Sequence, residues 1–482
     1  MGAVTRGTIA IQASEGVHLR GGSIVSRVEQ QGIGRGGDLE ISTNTLSLQN
    51  GTISLSTAGQ GDSGDLTIRA QAIDLTDSNL DASTFGRGNA GNIQIWADRS
   101  LRMSDSNLFT VVDEPAVGLG GKITIQTGDL ALSKQSFISS STFGRGDSGK
   151  ISIGATAIAL TETSGVVSGV RTGAIGRGGD IQINTQTLDL TAGSQLFAAT
   201  FGEGQAGNIQ VDAAAIRLAG TGLEGFSSGM LTNSDAEASG QSGNINVTTG
   251  SLQIADGAVL SAVTRSKFSG GNITVDANHL EVLQGGQILT NTFGEGDAGN
   301  LQIRVTDRAT LSGRDGGFSD RLQRFGQTDT ASPVSGLFAS TEPNSTGNGG
   351  NIFLSPRLLT VQAGASIAVD SQGSGIGGNI EIQAGKLRLD RSRISAETTN
   401  SQGGNIALQI AELTQLRRNS QISTTAGTAE AGGDGGRITL TTPFVIAASA
   451  EIVISRRMPL RAVVAVCKST LKAFLAFSFG LS

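Results

Sequence analysis

Two stretches of the sequence are nearly alike, and they decide the fold. Residues 141–151 read Ser-Thr-Phe-Gly-Arg-Gly-Asp-Ser-Gly-Lys-Ile, and residues 291–301 read Asn-Thr-Phe-Gly-Glu-Gly-Asp-Ala-Gly-Asn-Leu. Each ends with a glycine, one further residue, and an isoleucine or leucine that opens a run of alternating apolar and polar residues. Repetition of such a unit is typical of solenoid proteins, in which each unit packs only on its neighbours.

The glycine before each alternating run recurs along the whole chain. Neighbouring glycines of this set are 26 to 32 residues apart, except for steps of 36 residues after Gly207 and 51 residues after Gly299. The set comprises Gly7, Gly37, Gly64, Gly91, Gly121, Gly149, Gly179, Gly207, Gly243, Gly271, Gly299, Gly350, Gly378, Gly404 and Gly436. The sequence therefore predicts fifteen coils of roughly 28 residues each.

Three short alternating segments fall within one unit, as at residues 195–198, 208–211 and 215–218. A period of two is the pattern of strands with one buried face, whereas a propeller needs units of about 40 to 45 residues. We therefore predict an all-β fold, a right-handed single-stranded parallel β-helix with three short strands per coil. Coils spaced about 4.8 Å apart would form a rod of roughly 70 Å.

The chain divides into four predicted segments. Residues 1–303 and 350–446 carry the repeat. Residues 304–349 are rich in arginine and aspartate, and we expect them to leave the rod as a protruding loop, where specific recognition would first be sought. Residues 447–482 lack the repeat and form a predicted non-repeat tail.

The tail also has an interpretation at the level of its coding sequence. With permitted codons, residues 457–477 shifted by one nucleotide can encode Asn-Ala-Phe-Glu-Gly-Arg-Gly-Gly-Arg-Val-Gln-Ile-Asn-Thr-Gln-Gly-Ile-Phe-Gly-Ile. That string contains the Gly-Arg-Gly-Gly turn of residues 34–37 and 176–179. We therefore expect a frameshift between about Ala447 and Arg457, which makes the tail an out-of-frame translation; a genuine C-terminal amphipathic segment is the alternative.

Asparagine and phenylalanine also recur at fixed positions. We expect the asparagines that follow the anchor glycines to hydrogen-bond along the rod, with ligand binding as the alternative. They are Asn92, Asn208, Asn244, Asn272, Asn300, Asn351, Asn379 and Asn405. The motif Thr-Phe-Gly-x-Gly places Phe85, Phe143, Phe201 and Phe293 at equivalent positions, and we expect their rings to cap one corner of the core.

Composition argues against several classes of partner. The net charge of −6 is spread over 482 residues without a basic stripe, so we do not expect a nucleic-acid partner. The single cysteine, Cys467, allows neither an internal disulfide nor a cysteine-rich metal site. His18 and His279 are far apart in strand-like runs, and we expect them to be ordinary strand residues.

Neither end of the sequence contains a predicted membrane or export signal. Residues 1–7 lack the basic start, apolar stretch and cleavage site of a signal peptide. Residues 462–481 are apolar, but Lys468 and Lys472 lie inside them, and charges are costly at bilayer depth. We therefore predict no membrane span.

The stretches 141–151 and 291–301 resemble the repeats of large exoproteins related to filamentous haemagglutinin, which are common in cyanobacteria. The resemblance extends from Gly7 to about Ile446. It implies a secreted or outer-surface role and export of a longer parent by an outer-membrane two-partner-secretion transporter. In that family a signal peptide and a secretion domain precede the repeats, and neither is recognised in this sequence.

Two turn motifs invite functional interpretations. Arg145-Gly146-Asp147 is the tripeptide that integrins bind, but the same turn reads Gly86-Arg87-Gly88-Asn89 elsewhere, which favours variation within a structural corner. Gly-Asp pairs at Asp62, Asp147 and Asp297 suggest calcium turns. Calcium β-rolls repeat such turns within every nonapeptide unit, whereas these turns are a coil or more apart. We therefore predict no metal site.

The sequence as a whole predicts an extended, surface-exposed or secreted, adhesin-like scaffold that is not an enzyme. We expect no catalytic, cofactor-binding or metal-binding residues, and the ligand is an unspecified surface or carbohydrate. The alternative is a polysaccharide-processing β-helix enzyme, which needs paired carboxylates. The acidic residues show no cluster shared by neighbouring coils, and Trp96 is the only tryptophan in a chain without tyrosine.

Overall fold

The computed structural model of the chain describes residues 7–326, 328–330, 332–399, 401–427 and 435–453. In these ranges, 29 strands belong to one continuous sheet that winds along the molecule. Each strand pairs in parallel with its equivalent in the next coil, as β5 (Leu66–Thr76) does with β7 (Ile93–Ser104). The predicted all-β parallel β-helix is therefore confirmed.

The strands up to the large insertion are, in chain order, β1 (Thr8–Arg20), β2 (Ser23–Val25), β3 (Asp38–Gln49), β4 (Thr52–Ser54), β5 (Leu66–Thr76), β6 (Asn79–Asp81), β7 (Ile93–Ser104), β8 (Asn107–Phe109), β9 (Ile123–Ser133), β10 (Phe137–Ser139), β11 (Ile151–Leu160), β12 (Gly165–Val167), β13 (Ile181–Thr191), β14 (Gln195–Phe197), β15 (Ile209–Ala219), β16 (Gly229–Leu231), β17 (Ile245–Ala255), β18 (Val259–Ser261), β19 (Ile273–Leu283), β20 (Gln287–Leu289) and β21 (Leu301–Ser312). Helix α1 (Phe318–Phe325) follows. The remaining strands are β22 (Gly336–Phe338), β23 (Ile352–Gln362), β24 (Ser366–Ala368), β25 (Ile380–Asp390), β26 (Arg393–Ser395), β27 (Ile406–Ser423), β28 (Ile438–Thr441) and β29 (Val445–Val453).

Each regular coil contains one long bent strand and one short strand. In β5, Leu66 and Ile68 point inward before the bend, and Ile73 and Leu75 point inward after it. The register with β7 shifts at the bend, between Ala70 and the residues that follow. The segments predicted at 208–211 and 215–218 are thus joined in one strand, β15, and the segment predicted at 195–198 contains the short strand β14, which supplies the third face.

The core is a stack of equivalent aliphatic side chains. Leu66 pairs in register with Ile93, which in turn pairs with Ile123, and all three are 0% exposed. Full burial of one such side chain stabilises the fold by about 1.5–3 kcal/mol. The interior is therefore continuous along the rod, and each coil depends on its neighbours for burial.

The anchor glycines are required by the close approach of neighbouring coils. A Cβ atom on Gly91 would lie 1.9 Å from the carbonyl oxygen of Gly64, and one on Gly121 would lie 1.9 Å from that of Gly91. No side chain fits in that space, so substitution would push two coils apart. This contact explains why glycine recurs in every unit.

The structure corrects both bounds of the predicted insertion at 304–349. Residues 304–312 belong to β21, which pairs with β23, and β22 continues the rod from Gly336. The excursion is limited to residues 313–335 and contains α1. The charged residues that predict a loop at 304–312 are the polar half of an alternating strand. They lie on its outer face, where Arg304 pairs with Asp276 at 3.2 Å.

The boundary predicted at Ile446 is also too early. Strand β29 pairs with residues 414–423 of β27, so the coil continues as far as Val453. Residues 447–453 are therefore part of the repeat rather than of a tail. The rest of the predicted tail, with Cys467 and the string used for the frameshift interpretation, lies outside the described residues.

Candidate functional site

The recurring asparagines form a hydrogen-bonded ladder on the outside of the rod. The backbone N–H of Asn272 donates to Oδ1 of Asn244 at 2.9 Å, and that of Asn300 donates to Oδ1 of Asn272 at 2.9 Å. The same contact links Asn351, Asn379 and Asn405 in turn. The predicted ladder is present, and these side chains hold the coils in register.

The acidic turn residues take part in a second ladder of the same kind. Oδ1 of Asp147, in the Arg-Gly-Asp tripeptide, accepts the backbone N–H of Arg177 at 2.8 Å. Asp62 accepts from Asn89, and Asp297 accepts from Asn348, each at 2.8 Å. One carboxylate oxygen of each turn aspartate is thus used within the fold.

Other residues noted in the sequence lie on outer strand faces. His18 is exposed on β1, and Nδ1 of His279 on β19 lies 3.4 Å from Oδ2 of Asp307. The guanidinium of Arg69 covers the indole of Trp96, with Cζ 4.4 Å from the ring centroid. The single tryptophan is therefore covered by a neighbouring coil.

Three carboxylates of neighbouring coils come together near the short strands β22, β24 and β26, which the sequence interpretation missed. We call Glu342, Asp370 and Glu397 the carboxylate cluster. Asp370 accepts the hydroxyl of Ser395 and the backbone N–H of Glu397, both at 2.8 Å. Because Asp370 and Glu397 follow register partners in β24 and β26 by two residues, an alignment of the repeats would have revealed this pair.

The environment of the carboxylate cluster raises two pKa values. Burial raises the pKa of Asp370, and the charge of Glu397 acts in the same direction. Burial also raises the pKa of Glu342, with a further contribution from the charge of Asp370. Carboxyl groups of this kind can act as general acids, although Glu342 accepts from Asn291 and Glu397 pairs with Arg393.

The prediction that the phenylalanines of the Thr-Phe-Gly-x-Gly motif cap a corner of the core is wrong for Phe85 and Phe143. Phe85 and Phe143 are 39% and 38% exposed, whereas Thr84 and Thr142 before them are fully buried. The rings of Phe197 and Phe201 stack, with centroids 5.8 Å apart. Strand alternation explains the error, because a buried threonine directs the next side chain outward.

Arg171 lies among these rings. Its Cζ is 5.6 Å from the ring centroid of Phe143 and 5.7 Å from that of Phe197, within the range of cation–π attraction. We call Phe143, Arg171, Phe197 and Phe201 the arginine–phenylalanine column. Burial lowers the pKa of Arg171, and Nε has no hydrogen-bond partner among the described residues.

Farther along the same outer face, the chain covers an apolar patch with its own insertion. The patch consists of Leu231, Val259, Val263, Leu289, Phe338 and Ala368, which are buried although most of them lie on the outer side of the short strands. Val334 of the insertion packs on it. Nε2 of Gln287 donates to the carbonyl oxygens of Ser332 at 2.6 Å and Val334 at 2.8 Å. The insertion therefore lies against the rod and does not protrude as predicted.

Charged groups fasten the insertion at several points. Oδ2 of Asp329 accepts the backbone N–H of Ser227 at 2.7 Å, and burial raises the pKa of Asp329. The positive charges of Arg265 and Arg321 lower that pKa and so oppose the effect of burial. Arg321 also pairs with Asp315, whose side chain is only 8% exposed.

The pairing of equivalent strands defines the chain as a parallel β-helix repeat protein. Its outer surface carries columns of polar and aromatic side chains. No protein-family model, curated protein or solved structure matches it. Within the described ranges, no helix has both the length and the apolar character needed to cross a bilayer.

Proposed function

We propose that the chain is part of an extended, adhesin-like scaffold without enzymatic activity, belonging to a secreted or outer-surface protein of the filamentous haemagglutinin type. The resemblance of its repeats to that family supports this role. It also supports export of a longer parent by an outer-membrane two-partner-secretion transporter.

The observation that carries the proposal is the use of outward polar groups in contacts between coils. Asn244 and Asn272 belong to one ladder, and Asp147 to another. On a further outer column Arg217 pairs with Asp189 of the preceding coil at 3.1 Å. Much of the polar surface thus stabilises a long rod, which suits a protein that holds binding surfaces at a distance.

Surface display tests the adhesive role. The full chain would be fused to an outer-membrane anchor on a non-adherent bacterium, beside a control carrying Gly91→Val and Gly121→Val, which prevent the close approach of coils. We expect attachment to at least one of a panel of cell and polysaccharide surfaces for the native rod and loss of attachment for the control. Equal attachment at equal surface amounts would contradict the proposal.

A second candidate function is polysaccharide cleavage, and the raised pKa values of Asp370 and Glu342 favour it. Cleavage of a glycosidic bond by inversion or retention uses two carboxyl groups with different protonation states. An assay for new reducing ends on neutral and acidic polysaccharides tests this candidate. Turnover by the native chain that is lost in Asp370→Asn would establish polysaccharide cleavage. Absence of turnover would leave the scaffold function as the proposal.

A further inference from the structure

The arginine–phenylalanine column contains a half-buried cation without a charged partner in the described part of the chain. Burial is what lowers the pKa of Arg171, and no neighbouring charge contributes to the change. The rings of Phe143 and Phe197 lie on the guanidinium within 5.7 Å. A guanidinium in such a position gains from an incoming anion, because the apolar surroundings strengthen the ion pair.

Elsewhere on the same face, the chain itself provides an anionic partner for an equivalent arginine. Arg265 is equivalent to Arg171 three coils later, and its Cζ lies 4.9 Å from the ring centroid of Phe293. There the insertion contributes the carboxylate of Asp329, which interacts electrostatically with Arg265. Arg265 thus has both a phenyl ring and a carboxylate beside it. Arg171 has contacts with phenyl rings alone.

We propose that the arginine–phenylalanine column binds a glycan in which one acidic sugar is flanked by neutral sugars. The sugar carboxylate pairs with the guanidinium of Arg171, and pyranose C–H groups pack on the rings of Phe143 and Phe201. This assignment rests on the proposed adhesive function and names its ligand. The negative face of a phenyl ring attracts the weakly positive C–H groups of a sugar.

The geometry of the face favours a glycan over an extended peptide. A peptide strand gains affinity by adding to an open sheet edge, but β12 and β14 on this face are paired with the coils on both sides. Phe143 and Phe201 are two coils apart, roughly 10 Å along the rod. That distance is close to the length of two sugars in an extended β-linked chain.

Two aspartates set the charge pattern of the ligand. Asp113 and Asp235 occupy the same column two coils before and two coils after Arg171, which is roughly 10 Å in each direction. Each repels an anionic group placed beside it. A glycan with a charge on every sugar is therefore disfavoured relative to one with a single charge at Arg171.

Titration calorimetry of the full chain tests the assignment with three oligosaccharides. They are xylotriose with one glucuronic acid branch, neutral xylotetraose and tetragalacturonate. We expect the branched acid to bind at least about tenfold more tightly than either of the others. We also expect Arg171→Gln to abolish that preference. Phe143→Leu should weaken binding, because it removes the ring but keeps an apolar side chain.

Arg217→Gln is the matched control, because it removes one charge from a different outer column of the same region. Urea midpoints within error of the native chain ensure that the variants are folded. Equal binding of the branched and neutral oligosaccharides, or equal losses in Arg171→Gln and Arg217→Gln, would overturn the assignment. Surface attachment that Arg171→Gln leaves unchanged would refute the column as the binding site while the adhesive function stands.

Discussion

Asp147 and Arg177 lie on neighbouring coils, and the backbone N–H of Arg177 donates a 2.8 Å hydrogen bond to Oδ1 of Asp147. The aspartate of an apparent recognition tripeptide therefore contributes to coil register. Asn244 and Asn272 make the same type of contact. These recurring polar side chains therefore serve to hydrogen-bond the neighbouring coil.

An introduced aspartate should destabilise the chain strongly on the inner face of a strand and hardly at all on the outer face. Ile245 is 0% exposed, and its neighbour Asn246 is exposed. Ile245→Asp places an unpaired charge in the core and should cost more than about 3 kcal/mol of unfolding free energy. Asn246→Asp should change it by less than about 0.5 kcal/mol. Urea unfolding measures both, and similar midpoints would refute the assigned faces.

The asparagine ladder predicts a specific role for one side-chain oxygen. Oδ1 of Asn272 accepts the backbone N–H of Asn300 at 2.9 Å, and Asn272→Ala removes this acceptor. We expect a loss of about 1 kcal/mol in unfolding free energy. Asn272→Asp retains an acceptor, as Asp180 does for Asn208, and should lose less. If alanine and aspartate prove equivalent, the ladder does not stabilise the rod.

The raised pKa of Asp370 predicts a pH dependence of stability. A carboxyl with a higher pKa in the folded state binds more protons when folded, so its contribution to stability falls as pH rises from the unfolded value, 3.8, through the folded one. Asp370→Asn should therefore stabilise the chain at neutral pH, with no gain below pH 3.8. Urea midpoints at the two pH values test this, and a gain independent of pH would contradict it.

Removal of the insertion should uncover the apolar patch and cause the chain to associate. Replacement of residues 313–335 by a short turn leaves β21 paired with β23, so the rod should stay folded. Leu231, Val259 and Leu289 should then become accessible and cause association, which light scattering measures. The same deletion combined with Leu289→Ser should associate less. A deletion variant that stays monomeric would mean that the insertion does not cover the patch.

The repeat made the fold predictable, because glycine spacing and period-two alternation are local signals. Fixed column positions also predicted the asparagine ladder. The covered patch depends on residues 313–335 folding back to Ser227 and Gln287, a contact that no local pattern encodes. The outward direction of the rings and the presence of the carboxylate cluster were not predicted, for a different reason. Their positions require counting from each buried residue of the short strand, which an anchor-based comparison does not do.

A single experiment that measures both attachment and cleavage distinguishes a scaffold from an enzyme. Beads coated with the full chain would be placed on immobilised acidic and neutral polysaccharides, and both bead retention and released reducing ends would be followed. A non-enzymatic scaffold should retain beads on at least one surface without release of reducing ends. Steady release that is lost in Asp370→Asn would contradict the scaffold function and make the carboxylate cluster an active site.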